Sequence, residues 1–296
     1  MNHGGLRQHE PHEVKYSLAS WPSRLPQQPP SWSNVAYETI LTRRDGVVEY
    51  LTLNRPDVRN AFNEQMIGEL TAWAAAIDAD DDVRVAVIGG AGKVFSAGAD
   101  IAWMAKALEY THDDNVRDAN AAARMFAALD TLPIPLIGRI HGAALGGGSG
   151  LAAVCDVVVA EDNAVFGFTE VKLGILPAVI SPYAVAKIGR SAARELFLTG
   201  MRFNALRAKE SGLVHAVVPI GELDTIIGMY VNEFLSGAPD AIATAKALIP
   251  RVWARGASDA AGLTAEAIAA QRVSKEGQEG LRAFLEKRKA DWNVSR

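Results

Sequence analysis

The stretch HGAALGGGSGLAAVCDVVVAE, residues 141–161, decides how the chain folds. Three consecutive glycines, Gly146 to Gly148, open a small-residue apolar helix, and the strand-like DVVVAE follows. Glycines at such a place cost backbone entropy, so the run needs a reason. Three reasons fail on spacing. A phosphate loop requires Lys-Ser/Thr after its last glycine, and no lysine follows. A dinucleotide fingerprint requires G-x-G-x-x-G, whereas the sixth position is Leu151 from Gly146 and Ala153 from Gly148. A nucleophile elbow requires glycine two places after its serine, and after Ser149 that place holds Leu151. Two reasons remain open on this stretch: close helix–sheet packing, or approach of a ligand oxygen to the unpaired N–H groups of the helix's first turn.

VFSAGADIAWM, residues 94–104, repeats the layout of strand, glycine turn and helix start. Asp100 stands near that start, where a carboxylate suits the helix dipole. Two such turns can each aim one N–H at a single oxygen and stabilise charge developing on a carbonyl, which a thioester becoming an enolate requires.

Working outward, AYETILTRRDGVVEYLTLNRP reads as two strands around a turn at Asp45-Gly46, with Val48, Tyr50 and Thr52 alternating. Asn63 caps a helix whose Met66, Leu70, Trp73 and Ile77 share one face. The acids at 78–82 close it as a solvated turn. VRVAVIGGAG and IPLIGRI are buried strands with a longer helix between them, and DVVVAEDNAVFGF gives two short strands. Helices follow at 181–200 and 204–211, then a strand at LVHAVVP, then three or four amphipathic helices over 221–292. This order predicts an α/β fold. The organisation is a polar tail at 1–34, containing His3, His9 and His12, a core at 35–220 and a helical C-terminal region at 221–296.

With 296 residues, 49% of them hydrophobic, the chain can bury a large core. A net charge of −4 excludes the broad basic field that nucleic acid or an anionic membrane would need. The single cysteine, Cys155, lies in an apolar run and reads as a buried small residue, in keeping with a reducing compartment. No apolar run reaches the roughly 18 residues of a membrane span, and the N-terminus lacks a secretory signal, so a cytoplasmic location is expected. His, Cys and Asp do not cluster at metal-ligand spacing, and no metal is expected.

LTLNRPDVRNAFN, VFSAGADI, HGAALGGGSGLAAVCDVVVA, FGFTEVKLGILP and EGLRAFLEKRKADW together resemble the crotonase (enoyl-CoA hydratase/isomerase) superfamily over residues 37–292. Within it the chain resembles hydratases of branched glutaconyl-CoA esters such as 3-methylglutaconyl-CoA. The resemblance implies a crotonase-like spiral of βαβ turns with a C-terminal helical region, assembled as a homotrimer or homohexamer. It implies water addition across the 2,3 double bond of an acyl-CoA substrate. CoA is then part of the substrate, with no resident cofactor and no nucleic-acid or membrane partner. It also implies an oxyanion hole made by the amides of Ala99 and Gly147, and Glu170 as the catalytic acid/base. Arg59, Ala61, Ala97, Asp100 and Ile101 are expected along the CoA moiety, and Lys287 on a CoA phosphate. Read without the resemblance, Lys287 is a solvated cation on a helix face.

Hydratases of that family flank the water with two glutamates. Here Glu170 stands at one place and Gly150 at the other. One carboxylate suffices for a 1,3-proton shift, so an enoyl-CoA Δ3,Δ2 isomerase is the alternative. A non-catalytic or RNA-binding homologue is the remote one. Glu109, Asp113, Asp114 and Asp118 are candidates for a second acid. Leu173, Ile175 and Leu176 are expected to give Glu170 an apolar setting and a raised pKa. Lys172 or Lys106 is the candidate cation for a distal substrate carboxylate. His141 is expected to fix the glycine turn through the backbone rather than act as a base.

Overall fold

The computed structural model describes residues 37–293; the tail expected at 1–34, with its three histidines, lies outside them. Strands β1 (Ile40–Asp45) and β2 (Val48–Leu53) pair antiparallel through a tight turn in which Gly46 takes φ 59°. Helix α1 (Glu64–Asp78) begins where the Asn63 side chain accepts the Met66 amide at 3.0 Å, and it buries Met66, Leu70, Trp73 and Ile77. Strand β3 (Val85–Gly90), helices α2 (Ile101–Lys106) and α3 (His112–Asp130), and strands β4 (Leu136–Ile140) and β5 (Ala143–Leu145) lead to α4 (Gly147–Val154). Next come β6 (Val157–Glu161) and β7 (Val165–Gly167), a 3₁₀ turn at Glu170–Leu173, α5 (Ser181–Thr199), β8 (Arg202–Asn204), α6 (Ala205–Glu210) and β9 (Ala216–Val218). Four helices close the described chain: α7 (Leu223–Ser236), α8 (Pro239–Trp253), α9 (Ala257–Val273) and α10 (Lys275–Glu286).

The large sheet runs β1-β2-β3-β4-β6-β9 and is parallel from β2 onward; a small sheet runs β5-β7-β8. After β4, and again after β6, the chain steps from the large sheet into the small one, which produces the spiral. Strand β3 is covered on both faces, which is why its sequence is a continuous apolar run. Ala86 and Ile88 face the core shared with Trp73, Met125, Phe126 and Leu151. Val85 and Val87 face the one completed by Leu223, Ile227 and Val231 of α7. Arg84, just before β3, ties the end of the chain to this frame. Its guanidinium donates to the carbonyls of Gly237 (2.6 Å), Leu235 (3.1 Å) and Trp292 (2.8 Å).

Candidate active site

Residues 95–100 lie between two neighbouring segments. On one side Ser96 donates its N–H to Ala143 O and accepts from Leu145 N–H, both at 3.0 Å. On the other, Phe62 donates to Gly98 O at 2.7 Å and accepts from Asp100 N–H at 2.8 Å. Phe62 takes its two bonds from the groups on either side of Ala99, so the Ala99 N–H is not spent on this pairing. It makes no hydrogen bond among the described residues. Gly147 opens α4, and its N–H precedes the first intrahelical bond, Gly150 N–H to Gly146 O at 3.1 Å. It too finds no acceptor among the described residues, as the first turn of a helix dictates.

The glycines hold the two turns together. Gly98 has φ 92°, and a Cβ there would stand 2.8 Å from Leu145 O and 3.6 Å from the Gly146 Cα. A Cβ on Gly147 would stand 2.8 Å from the Phe62 ring. Close packing and an unpaired N–H therefore occur together at this turn.

Glu170 reaches the same place through the small sheet. Strand β7 pairs with β5, the Gly146 N–H donates to Gly167 O at 2.8 Å, and the 3₁₀ turn follows. Glu170 Oε1 lies 3.3 Å from where a Gly146 Cβ would be. Its Oε2 is buried and has no hydrogen-bond partner among the described residues. Burial pushes this carboxyl above the usual carboxylate range. The raised pKa is as expected. Leu173, Ile175 and Leu176, expected to give Glu170 an apolar setting, are 63%, 52% and 69% exposed. The carboxylate itself stands against Gly146.

The space at Gly150 is filled. A Cβ there would stand 2.3 Å from Ile180 Cγ2 and 3.2 Å from Phe126 Cε1. The acids at 109–118 have other duties or face solvent. Asp114 forms the capping box of α3 with Thr111 and pairs with Arg117, Asp118 accepts the Trp103 indole N–H at 3.2 Å, and Glu109 and Asp113 are exposed. Lys106 is engaged by Glu64 at 2.7 Å.

Arg59, Ala61, Ala97, Asp100 and Ile101 gather at one edge beside Ala99. Arg59 O accepts the Ala97 N–H at 2.9 Å, and Ala61 O accepts from Arg55 at 2.6 Å. Asp100 pairs with Arg55 at 2.8 Å and caps α2 through the Ala102 N–H at 2.8 Å. Burial opposes its ionisation, but Arg55 and the α2 amides outweigh that and hold its carboxyl below the usual range. The Asp100 side chain is thus already occupied, while Ile101 is 81% exposed. Lys287 caps α10, a helix packed on α8 and α9, and no hydrogen bond or ion pair links it to this edge among the described residues.

His141 Nε2 lies 3.1 Å from Gly92 O, the backbone role expected of it. Ser149 donates to Ala144 O at 2.7 Å and is fully buried. Burial pushes the Cys155 thiol up to about 12.

The sequence profile of the enoyl-CoA hydratase/isomerase family matches residues 43–295. The chain belongs to that family. A short-chain-enoyl-CoA hydratase of Clostridium acetobutylicum is 32% identical over 254 residues, spanning 85% of this chain and 96% of its own. The crystal structure of an enoyl-CoA hydratase from Shewanella pealeana superposes with a TM-score of 0.84 at 37% identity, covering 86% of this chain and 96% of its own. One from Bacillus anthracis gives 0.80 at 30% identity, covering 87% and 100%. The mixed α/β architecture is the crotonase fold of these neighbours. Relatives named enoyl-CoA hydratases are hydro-lyases, and at the family's level this chain is an enzyme of that type. No helix among the described residues is long and apolar enough to cross a membrane.

Proposed function

We propose that this enoyl-CoA hydratase/isomerase family member hydrates a 2-enoyl-CoA thioester from a single carboxylate, with 3-methylglutaconyl-CoA or a related branched glutaconyl-CoA as substrate. The observation that carries the reading is the buried, unpartnered Oε2 of Glu170 beside Gly146, next to two turns whose Ala99 and Gly147 amides are uncommitted. In this reading the thioester oxygen sits between those amides. Water oxygen bonds to C3 while its proton passes to Glu170. The π electrons move to the thioester oxygen, and the same carboxyl then returns a proton to C2. Hydrogen bonds to the developing oxyanion act where water is excluded and are strong there. Arg59, Ala61, Ala97 and the backbone at Asp100 and Ile101 would line the CoA moiety, and Lys287 would reach it from a neighbouring copy.

The filled space at Gly150 supports a second reading, the Δ3,Δ2 isomerase, because a 1,3-proton shift needs only one carboxylate. Assembly as a cytoplasmic homotrimer or homohexamer belongs to the same proposal, supported by exposed Phe284 and Leu285 on α10. The deciding experiment offers 3-methylglutaconyl-CoA, crotonyl-CoA and a 3-enoyl-CoA in turn. Hydration predicts loss of the conjugated absorbance of the first. Gain of that absorbance from the 3-enoyl-CoA, with neither 2-enoyl thioester consumed, would assign the isomerase.

A further inference from the structure

A cavity of about 550 Å³ opens behind the turn that carries Glu170. It is lined by Thr169, Lys172, Leu173, Gly200, Met201 and Arg202, two cations and no acid. Neither the Lys172 ammonium nor the Arg202 guanidinium makes an ion pair or hydrogen bond among the described residues. Arg44, Arg55, Lys106 and Lys246, by contrast, each hold a carboxylate.

The backbone leaves room for both cations on the lining of this cavity. Gly200 ends α5 in the left-handed region, φ 55°, and a Cβ there would stand 3.0 Å from Lys172 Cγ and 2.9 Å from Val171 Cγ2. A Cβ on Gly167 would stand 3.5 Å from Arg202 Cγ and 3.1 Å from Thr169 Cγ2. Two glycines thus leave room for two cationic stems. Thr169 precedes the 3₁₀ turn without capping it, so its hydroxyl is uncommitted. Like charges around one cavity repel unless an anion joins them.

We propose that this cavity binds a small organic oxyanion, a carboxylate or phosphate group, between Lys172, Arg202 and the Thr169 hydroxyl. Arginine offers a planar fork for such a group, and lysine a point charge. Leu173 and Met201, 63% and 44% exposed, give the organic part of the ligand an apolar wall. The register Leu145–Gly167–Arg202 sets Arg202 two strands, roughly 10 Å, from the start of the glycine turn. A carboxylate at the far end of an acyl group and a free anion are both sources of this chemistry. The proposal does not need the substrate assigned above.

The test titrates the full chain with inorganic phosphate and with glutarate by calorimetry, in wild type and in Lys172→Ala/Arg202→Ala. It also compares kcat/KM for 3-methylglutaconyl-CoA and crotonyl-CoA. Both residues are exposed, so the variant is expected to fold. Saturable binding in wild type, weakened at least tenfold in the variant, assigns the site to a free anion. A tenfold or greater fall in the ratio of kcat/KM for the dicarboxylic over the monocarboxylic thioester assigns it to the acyl group. Binding that survives the double substitution, or no saturable binding together with an unchanged ratio, overturns the proposal.

Discussion

Replacing Glu170 with glutamine moves activity and stability in opposite directions. The amide keeps the shape of the carboxyl. No hydrogen bond to Oε2 is lost, because none exists among the described residues. What disappears is the proton carrier. General acid–base catalysis is worth about 10²–10⁴ in rate, or about 3–5 kcal/mol of barrier. Stability follows from linkage. Burial raises the carboxyl's pKa in the folded state above its unfolded value. Such a group favours the folded state fully below its unfolded pKa, and that contribution is lost as pH rises through the folded pKa. Glutamine carries no charge at any pH and avoids the loss. The variant should therefore match wild type in Tm near about pH 4 and exceed it near about pH 8, while turning over enoyl-CoA about 10²–10⁴-fold more slowly. The wild-type acid limb of kcat/KM should lie above the ordinary carboxylate range and vanish in the variant. Absorbance-monitored turnover and calorimetric Tm at the two pH values decide it. Wild-type turnover in Glu170→Gln, or a lower Tm near the higher pH, refutes the reasoning.

Gly147→Ala should press its new methyl on the Phe62 ring and swing the amide off its line, lowering kcat by about 10²–10³ with little change in KM; steady-state kinetics checks this. Gly150→Ala should cost about 1–3 kcal/mol by overpacking against Ile180, and adding Ile180→Ala should cost less than the sum of the two single changes in urea unfolding. His215 accepts the Val158 N–H at 3.0 Å on Nδ1, and burial, with Lys187 nearby, pushes its pKa down to about 4. Its folded pKa lies below the unfolded one, so its stabilisation is present above the unfolded value, about 6.5, and fades as pH falls toward about 4. His215→Gln should flatten the pH dependence of unfolding across that window; an unchanged slope would assign it to other groups.

Much of this was legible in the residues because it is local. The Asp45-Gly46 turn, the Asn63 cap, the Met66–Leu70–Trp73–Ile77 face and the two glycine turns each follow from spacing over a few positions. Glu170 was legible only through resemblance, since a lone glutamate after FGFT carries no periodic signal. Part of its environment was not legible, because that part comes from elsewhere in the chain. Leu173, Ile175 and Leu176 follow it in the chain, but Gly146 meets it across the small sheet. Strands β5 and β8, three residues each, lie below the length at which alternation can be read. Ile180, which fills the space beside Gly150, and Arg84, which holds three carbonyls from distant segments, act only after the chain has folded; nothing near them in sequence marks them.

Two main-chain N–H groups from separate loops, meeting one thioester oxygen, are the centre of this account. The infrared spectrum of an enoyl-CoA bound to the protein, isotope-labelled at the thioester carbonyl, tests that most directly. The account predicts a carbonyl stretch displaced to lower wavenumber than in water, with the displacement reduced in Gly147→Ala. A bound carbonyl that absorbs where it does in water, unchanged by that substitution, would contradict it.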